Sequence, residues 1–276
     1  MTWLSAVLLG LVQGVAEFLP ISSSGHLAIA EHILNLQGAS DVPEFYDVLL
    51  HLGTLAAVFA AYWGEIRDMI VEFFAGVRDL CRHTMPSVTP PARRMVLLVI
   101  VATLPLFAMV PFRRFFSGLG DNMYFIGGAL IFTGLLLFMS DRVPRGRKTE
   151  KSARLTDALF VGLGQAVALC PGVSRSGMTI TCGCFSGFER RFAVRFSFIM
   201  SIPAILGANV LSLKDALDAG VDPNAVPMYL VGVAVAAATG YACIRLLKLV
   251  ADRGRFGAFA YYCWAVGALV LIFTIV

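Results

Sequence analysis

Residues Gln13 to His26 read QGVAEFLPISSSGH, a polar run inside an otherwise apolar N-terminal segment. Gln13 and Glu17 are four apart, so a helix carries both on one face. Pro20 disfavours helical geometry in the residue before it and ends that helix. Ser22, Ser23 and Ser24 follow, and serines cap helix N-termini, so a second helix is expected to start here with His26 in its first turn. A carboxylate, hydroxyls, an imidazole and a helix N-terminus thus converge. Hydroxyls and backbone donors suit an anion, and the carboxylate suits a cation beside it.

The same device recurs. Laid over one another without a gap, Gly10-Leu11-Val12-Gln13-Gly14-Val15-Ala16 faces Gly162-Leu163-Gly164-Gln165-Ala166-Val167-Ala168, and Ser22-Ser23-Ser24-Gly25 faces Ser174-Arg175-Ser176-Gly177. Apolar segments match by composition alone, but the aligned glutamine and Ser-x-Ser-Gly do not follow from it. The reading is an internal duplication with one broken helix pair per half.

The chain has 276 residues, 58% hydrophobic and 14% charged, with a mean hydropathy of +0.79. Soluble domains carry roughly 25% charged residues, so this is an all-α polytopic membrane protein with the lipid bilayer as its partner and no nucleic acid. The six cysteines are scattered through apolar runs. Cys182 and Cys184 fall on different faces of a helix, which argues against zinc. No cleavable signal peptide is expected, because the first apolar run lacks a basic start and contains Glu17.

Thr2–Leu19 and Ser24–Leu36 are too short to cross a bilayer, which takes about 20 apolar residues. They read as a re-entrant hairpin, as do Thr156–Leu169 and Ser176–Phe185. About six spans are expected: Phe45–Trp63, Met95–Val110, Met123–Met139, Phe192–Leu213, Met228–Leu249 and Phe256–Val276. Gly38–Pro43 and Arg113–Asn122 read as loops, Thr84–Pro91 as a linker and Glu65–Arg82 as a separate interfacial amphipathic helix. Asp215, Asp218 and Asp222 mark an acidic external loop. Arg142, Arg145, Arg147, Lys148, Lys151 and Arg154 place residues 141–154 in the cytoplasm, and Lys248, Arg253 and Arg255 do the same for the last connection. Arg113 and Arg114 in an external loop are an exception. One membrane domain over 1–276 then divides into a first repeat, 1–140, and an inverted second repeat, 155–276, joined by the basic linker. Both termini face outward, and the hairpins enter from opposite sides to meet near the midplane.

In the second break, Pro171-Gly172-Val173-Ser174-Arg175-Ser176-Gly177-Met178-Thr179, Arg175 sits at membrane depth. An unpaired arginine there costs at least about 2.5 kcal/mol, so it needs a partner. A guanidinium fork fits phosphate oxygens; an ion pair with Glu17 that only locks the halves together is the plainer alternative. Thr179 can donate its hydroxyl to a ligand or to its own helix. Ser23 is a candidate nucleophile and His26 a candidate acid or base. Glu17, with Gln13, can hold a hard divalent cation, although an interhelical hydrogen bond accounts for Gln13 equally well. His51 interrupts an apolar span, and packing explains it better than a site role.

EFLPISSSGH at Glu17–His26 and PGVSRSGMT at Pro171–Thr179 resemble the two signature motifs of the undecaprenyl-diphosphate phosphatases, the bacitracin-resistance family. Length, spacing and hydropathy agree over the whole chain. The resemblance implies a bacterial inner-membrane enzyme that removes the terminal phosphate of undecaprenyl diphosphate, recycling the carrier for cell-wall synthesis, with an outward-facing site. It implies Ser23 as nucleophile, His26 as proton-transfer residue, Glu17 as part of a glutamate-rich motif, and Ser174, Arg175 and Thr179 as phosphate-binding. Gln13 departs from the glutamate many members carry there. Ser22, Ser24 and Ser176 join the substrate-binding set, a divalent cation (Mg or Ca) the cofactors, and a homodimer is left open. Two other classes are weighed. A polyprenyl-phosphate transporter or flippase would use the same site and free no phosphate. A non-catalytic lipid-binding protein would tolerate Ser23→Ala and His26→Ala.

Overall fold

The structure is a computed structural model and describes residues 2–36, 44–84, 86–219, 223–253 and 255–275. All its long elements are helices. α1 (Trp3–Phe18) opens on a capping box, in which the Thr2 hydroxyl accepts from Ser5 N–H at 3.1 Å and Ser5 Oγ accepts from Thr2 N–H at 2.9 Å. It stops as expected: Leu19, before Pro20, is extended at φ −67°, ψ 141°. α2 (Ser23–Leu36) restarts after Ser22, which holds a left-handed φ of 75°. In the second half, α7 (Leu155–Val167) and α8 (Arg175–Phe185) repeat the pattern, with Gly172 at φ 85° in the break. The 16 residues of α1 and 13 of α7 rise about 24 and 20 Å at 1.5 Å per residue. Both fall short of a bilayer core of about 30 Å.

Among the described residues six other helices are long and apolar enough to span: α3 (Glu44–Arg82), α4 (Pro91–Met109), α6 (Met123–Ser140), α9 (Arg190–Ala219), α10 (Val226–Arg253) and α11 (Gly257–Ile275). The chain is a multi-pass membrane protein. One local expectation holds and two are corrected. Glu65–Arg82 does lie in a second helix, which follows the first part of α3 across a kink at Tyr62, whose backbone is non-helical (φ −129°, ψ 21°). No proline falls between the two parts, and the far part is tied to α4 by Arg93, which donates to Glu72 at 3.1 Å and Asp79 at 2.9 Å. Arg113–Asn122 is not all loop; it contains the short helix α5 (Arg113–Gly118). Asp215 and Asp218 lie in the last turns of α9, which has no glycine or proline to stop it between Gly207 and Gly220. The expected loop at Gly38–Pro43, and Asp222, lie outside the described residues.

α1 packs along α10, α7 along α4, and α6 along α11, while α3 crosses α9 and α10. Small residues permit the close approach. Gly10 and Gly14 of α1 abut the backbone of Gly232, Ala236 and Gly240 on α10, and Gly162 of α7 abuts the Ala102 backbone of α4. A Cβ on Gly162 would collide with the Ala102 carbonyl. Gly162→Val is therefore expected to destabilise the detergent-solubilised protein by about 2–3 kcal/mol through overpacking, read as a lowered thermal unfolding midpoint. Gly207→Ala, where a Cβ meets nothing within 4 Å, is the control and should leave the midpoint unchanged or raised.

The basic linker is pinned rather than free. Lys148 N–H donates to Gly187 O at 3.0 Å, its ammonium reaches Asp157 at 2.8 Å, and Asp141 accepts from Arg190 at 2.9 Å and from the N–H groups that open α11.

Candidate active site

The two breaks touch. Ser24 Oγ accepts from Gly172 N–H at 3.2 Å, and Ser176 Oγ donates to Leu19 O at 3.3 Å. Thr133 of α6 steadies the second break, accepting from Ser174 N–H at 3.1 Å. The breaks leave helix-terminal N–H groups that need acceptors, and the serines supply them. Ser22 Oγ accepts from Gly25 N–H at 3.2 Å, and Ser174 Oγ from Gly177 N–H at 3.0 Å.

Glu17, only 6% exposed, is the hub. Its Oε1 accepts from Arg175 Nη2 at 2.6 Å. Its Oε2 accepts from the Ser23 hydroxyl at 2.6 Å and from Gln13 Nε2 at 3.1 Å. His51 Nε2 stands 3.8 Å from the same oxygen. Arg175 also leans on Ser197 O at 3.5 Å, while Thr179 Oγ1 bonds Arg175 O at 2.8 Å and meets Ser197 Oγ at 2.6 Å. Gln13, Glu17, Ser23, Ser174, Arg175, Ser176 and Thr179 are thus gathered at the junction. The serine and threonine hydroxyls are committed mostly to holding the breaks together.

His26 lies apart from Ser23's hydrogen bond. Its Nδ1 pairs with Ser22 O at 2.8 Å and its Nε2 with the Tyr262 hydroxyl at 2.9 Å, the two rings stacking at 5.6 Å. Glu17, not His26, therefore accepts the hydrogen bond from the Ser23 hydroxyl in this arrangement. His51, Ser197, Thr133 and Tyr262 complete the site without having been picked out by the motifs. His51 alone had a signal, a histidine inside an apolar span; the others are ordinary residues brought in by packing.

The donor set bears on a cation. Among the described residues no three His, Cys, Asp or Glu side chains converge. Gln13 Oε1 is nevertheless buried without a hydrogen-bond partner, beside the Glu17 carboxylate. One carboxylate and one amide oxygen suit a hard ion that takes its remaining ligands from phosphate and water.

The sequence profile described as "Bacitracin resistance protein BacA" matches residues 6–269. The chain belongs to the BacA family. Its family relatives include proteins named "Undecaprenyl-diphosphatase" from Alkaliphilus metalliredigens, 40% identical across 100% of both chains, and from Syntrophotalea carbinolica, 41% identical over 98% of each. One of the same name from Methanobrevibacter smithii is 38% identical over 99% of this chain and 98% of its own. The family match takes in both breaks and five of the six long apolar helices, and ends within α11.

Proposed function

We propose that the chain hydrolyses undecaprenyl diphosphate to undecaprenyl phosphate and inorganic phosphate. The observation that carries the reading is the Glu17 carboxylate, which accepts the Ser23 hydroxyl on one oxygen and the Arg175 guanidinium on the other. That is a base, a nucleophile and a phosphate-binding cation on adjoining atoms. The family and the names of its relatives supply the substrate.

In the first step Ser23 Oγ attacks the terminal phosphorus, and its proton passes to Glu17. The bond from that phosphorus to the bridging oxygen breaks, and undecaprenyl phosphate leaves as an anion needing no proton. The unpaired N–H groups of Arg175 hold the equatorial oxygens as charge spreads over them. Water then splits the phosphoserine, releasing phosphate and restoring the serine. His26, held by Ser22 O and Tyr262, is assigned to proton transfer in this second step. A divalent cation, Mg or Ca, would be held by Glu17 and Gln13 Oε1; when bound it neutralises phosphate charge.

The membrane placement is part of the same proposal. Residues 141–154 and the α10–α11 connection are both basic and adjoin, Arg145 donating to Arg253 O at 3.4 Å. That supports a cytoplasmic side there, in a plasma membrane, with α7–α8 re-entering from it and α1–α2 from outside. The exchange pattern supports inverted repeats 1–140 and 155–276: α1 lies on α10 as α7 lies on α4. Phosphate release from detergent-purified protein given undecaprenyl diphosphate tests the function. Release is expected, falling more than about tenfold on chelation and returning with added Mg²⁺ or Ca²⁺. Absence of release with Mg²⁺ or Ca²⁺ present would refute the reading.

A further inference from the structure

α11 closes on the first break through three consecutive residues. The Tyr262 hydroxyl pairs with His26 Nε2 at 2.9 Å, and the Cys263 thiol reaches Pro20 O at 3.7 Å. The Trp264 indole N–H donates to Ile131 O of α6 at 3.1 Å. The His26 and Tyr262 rings lie nearly parallel, with 12° between their planes. Two ties to neighbouring backbone thus hold the surface against which the imidazole rests. Ser23 and His26 are three apart on α2, which makes them neighbours on one face of the helix.

The partners decide the form of the ring. Ser22 O, 2.8 Å from Nδ1, can only accept, so Nδ1 carries the hydrogen. The same carbonyl takes the His26 backbone N–H at 3.2 Å, aimed there by the left-handed backbone of Ser22. In the neutral ring Nε2 is then the bare nitrogen, and the Tyr262 O–H donates to it. The imidazole meets the backbone oxygens of Ile21 and Ser22 and this hydroxyl. Ser22 O suits Nδ1–H in either protonation state. At Nε2 the partner must donate to the neutral ring and accept from the protonated one. A hydroxyl does both by turning its O–H, whereas a carbonyl or an ammonium does only one.

We propose that Tyr262 is a positioning residue for His26 in the hydrolysis of the phosphoserine, an assignment that rests on the two-step reading above. In that step water attacks the phosphorus and the bond to Ser23 Oγ breaks. Glu17 returns to that oxygen the proton it took in the first step. The water's proton goes to His26 Nε2, the Tyr262 hydroxyl turns to accept from the new N–H, and the imidazolium then releases the proton to solvent. The test reads this step directly. Purified protein is labelled with Mg²⁺ and substrate carrying label in the terminal phosphate, chased with unlabelled substrate, and followed for loss of protein-bound label. Tyr262→Phe keeps the stacked ring and removes one oxygen. It is expected to slow the loss about tenfold, the scale of one hydrogen bond, with the rate of labelling within twofold of wild type. His26→Ala is expected to slow the loss about 10²-fold, and adding Tyr262→Phe to it should slow the loss no further. Unchanged labelling shows that the variants fold; His26→Gln replaces the alanine variant if that one does not label. Loss of label at the wild-type rate in Tyr262→Phe overturns the proposal, as does a fall in its labelling rate. So does an equal slowing by Tyr262→Phe with and without His26, which is the mark of packing alone. Phosphate release without any labelled protein removes the second step and this proposal with it. No release at all refutes the proposed hydrolysis itself, and this assignment along with it.

Discussion

Ser23→Ala is expected to cut phosphate release from undecaprenyl diphosphate by at least about 10³-fold, the scale on which removing a positioned nucleophile and its base partnership acts. The substitution deletes one oxygen from a half-buried side chain at the first turn of α2. Among the described residues its hydroxyl bonds Glu17 alone, at 2.6 Å. The cap of that turn is Ser22 rather than Ser23, so the helix should survive and the unfolding midpoint should move little. Substrate binding should be near normal, because Arg175 is untouched. The loss should therefore fall on kcat and not on KM. Brief incubation with substrate labelled in the terminal phosphate should mark wild-type protein and leave Ser23→Ala unmarked. Turnover within a few-fold of wild type would exclude Ser23 as nucleophile and leave Glu17 to activate water directly.

Arg175→Ala is expected to lower kcat/KM by about 10²–10³-fold, as the loss of one preorganised charge donor to a transition state does. It should also destabilise the protein by about 3–5 kcal/mol, because it leaves the buried Glu17 carboxylate without its cation. Both effects are needed to separate two readings of the same 2.6 Å contact. If the pair only locks the two halves together, replacing both members by neutral groups of similar size should restore stability and function alike. If it is part of the site, Glu17→Gln with Arg175→Met should recover most of the unfolding midpoint and none of the turnover. Recovery of turnover in the double variant would reduce the pair to a structural tie.

Much of this was legible in the chain itself. Pro20 and the capping serines set where α1 stops and α2 starts, and the same signals set α7 and α8, because caps and prolines act within a few residues. Hydropathy set the six spans, because bilayer thickness fixes a length. The misreadings fell where local signals were weak. Asp215 and Asp218 looked like a loop because of their charge, which does not itself end a helix. The charges after Trp63 did mark a second helix, which begins beyond the kink at Tyr62 and is tied to α4 by Arg93 through Glu72 and Asp79.

Sequence alone determined the membrane class, the two broken helix pairs and the polar residues Glu17, Ser23 and Arg175, since each follows from composition or from interactions within one turn of chain. Which of those residues meet was decided only by tertiary packing. Glu17 took Ser23, Arg175 and Gln13 on its two oxygens, and His26 turned to Tyr262, 236 positions away. No local pattern encodes that choice: it depends on α1 closing on α10 and α11 on α6 at contact distances that glycines permit.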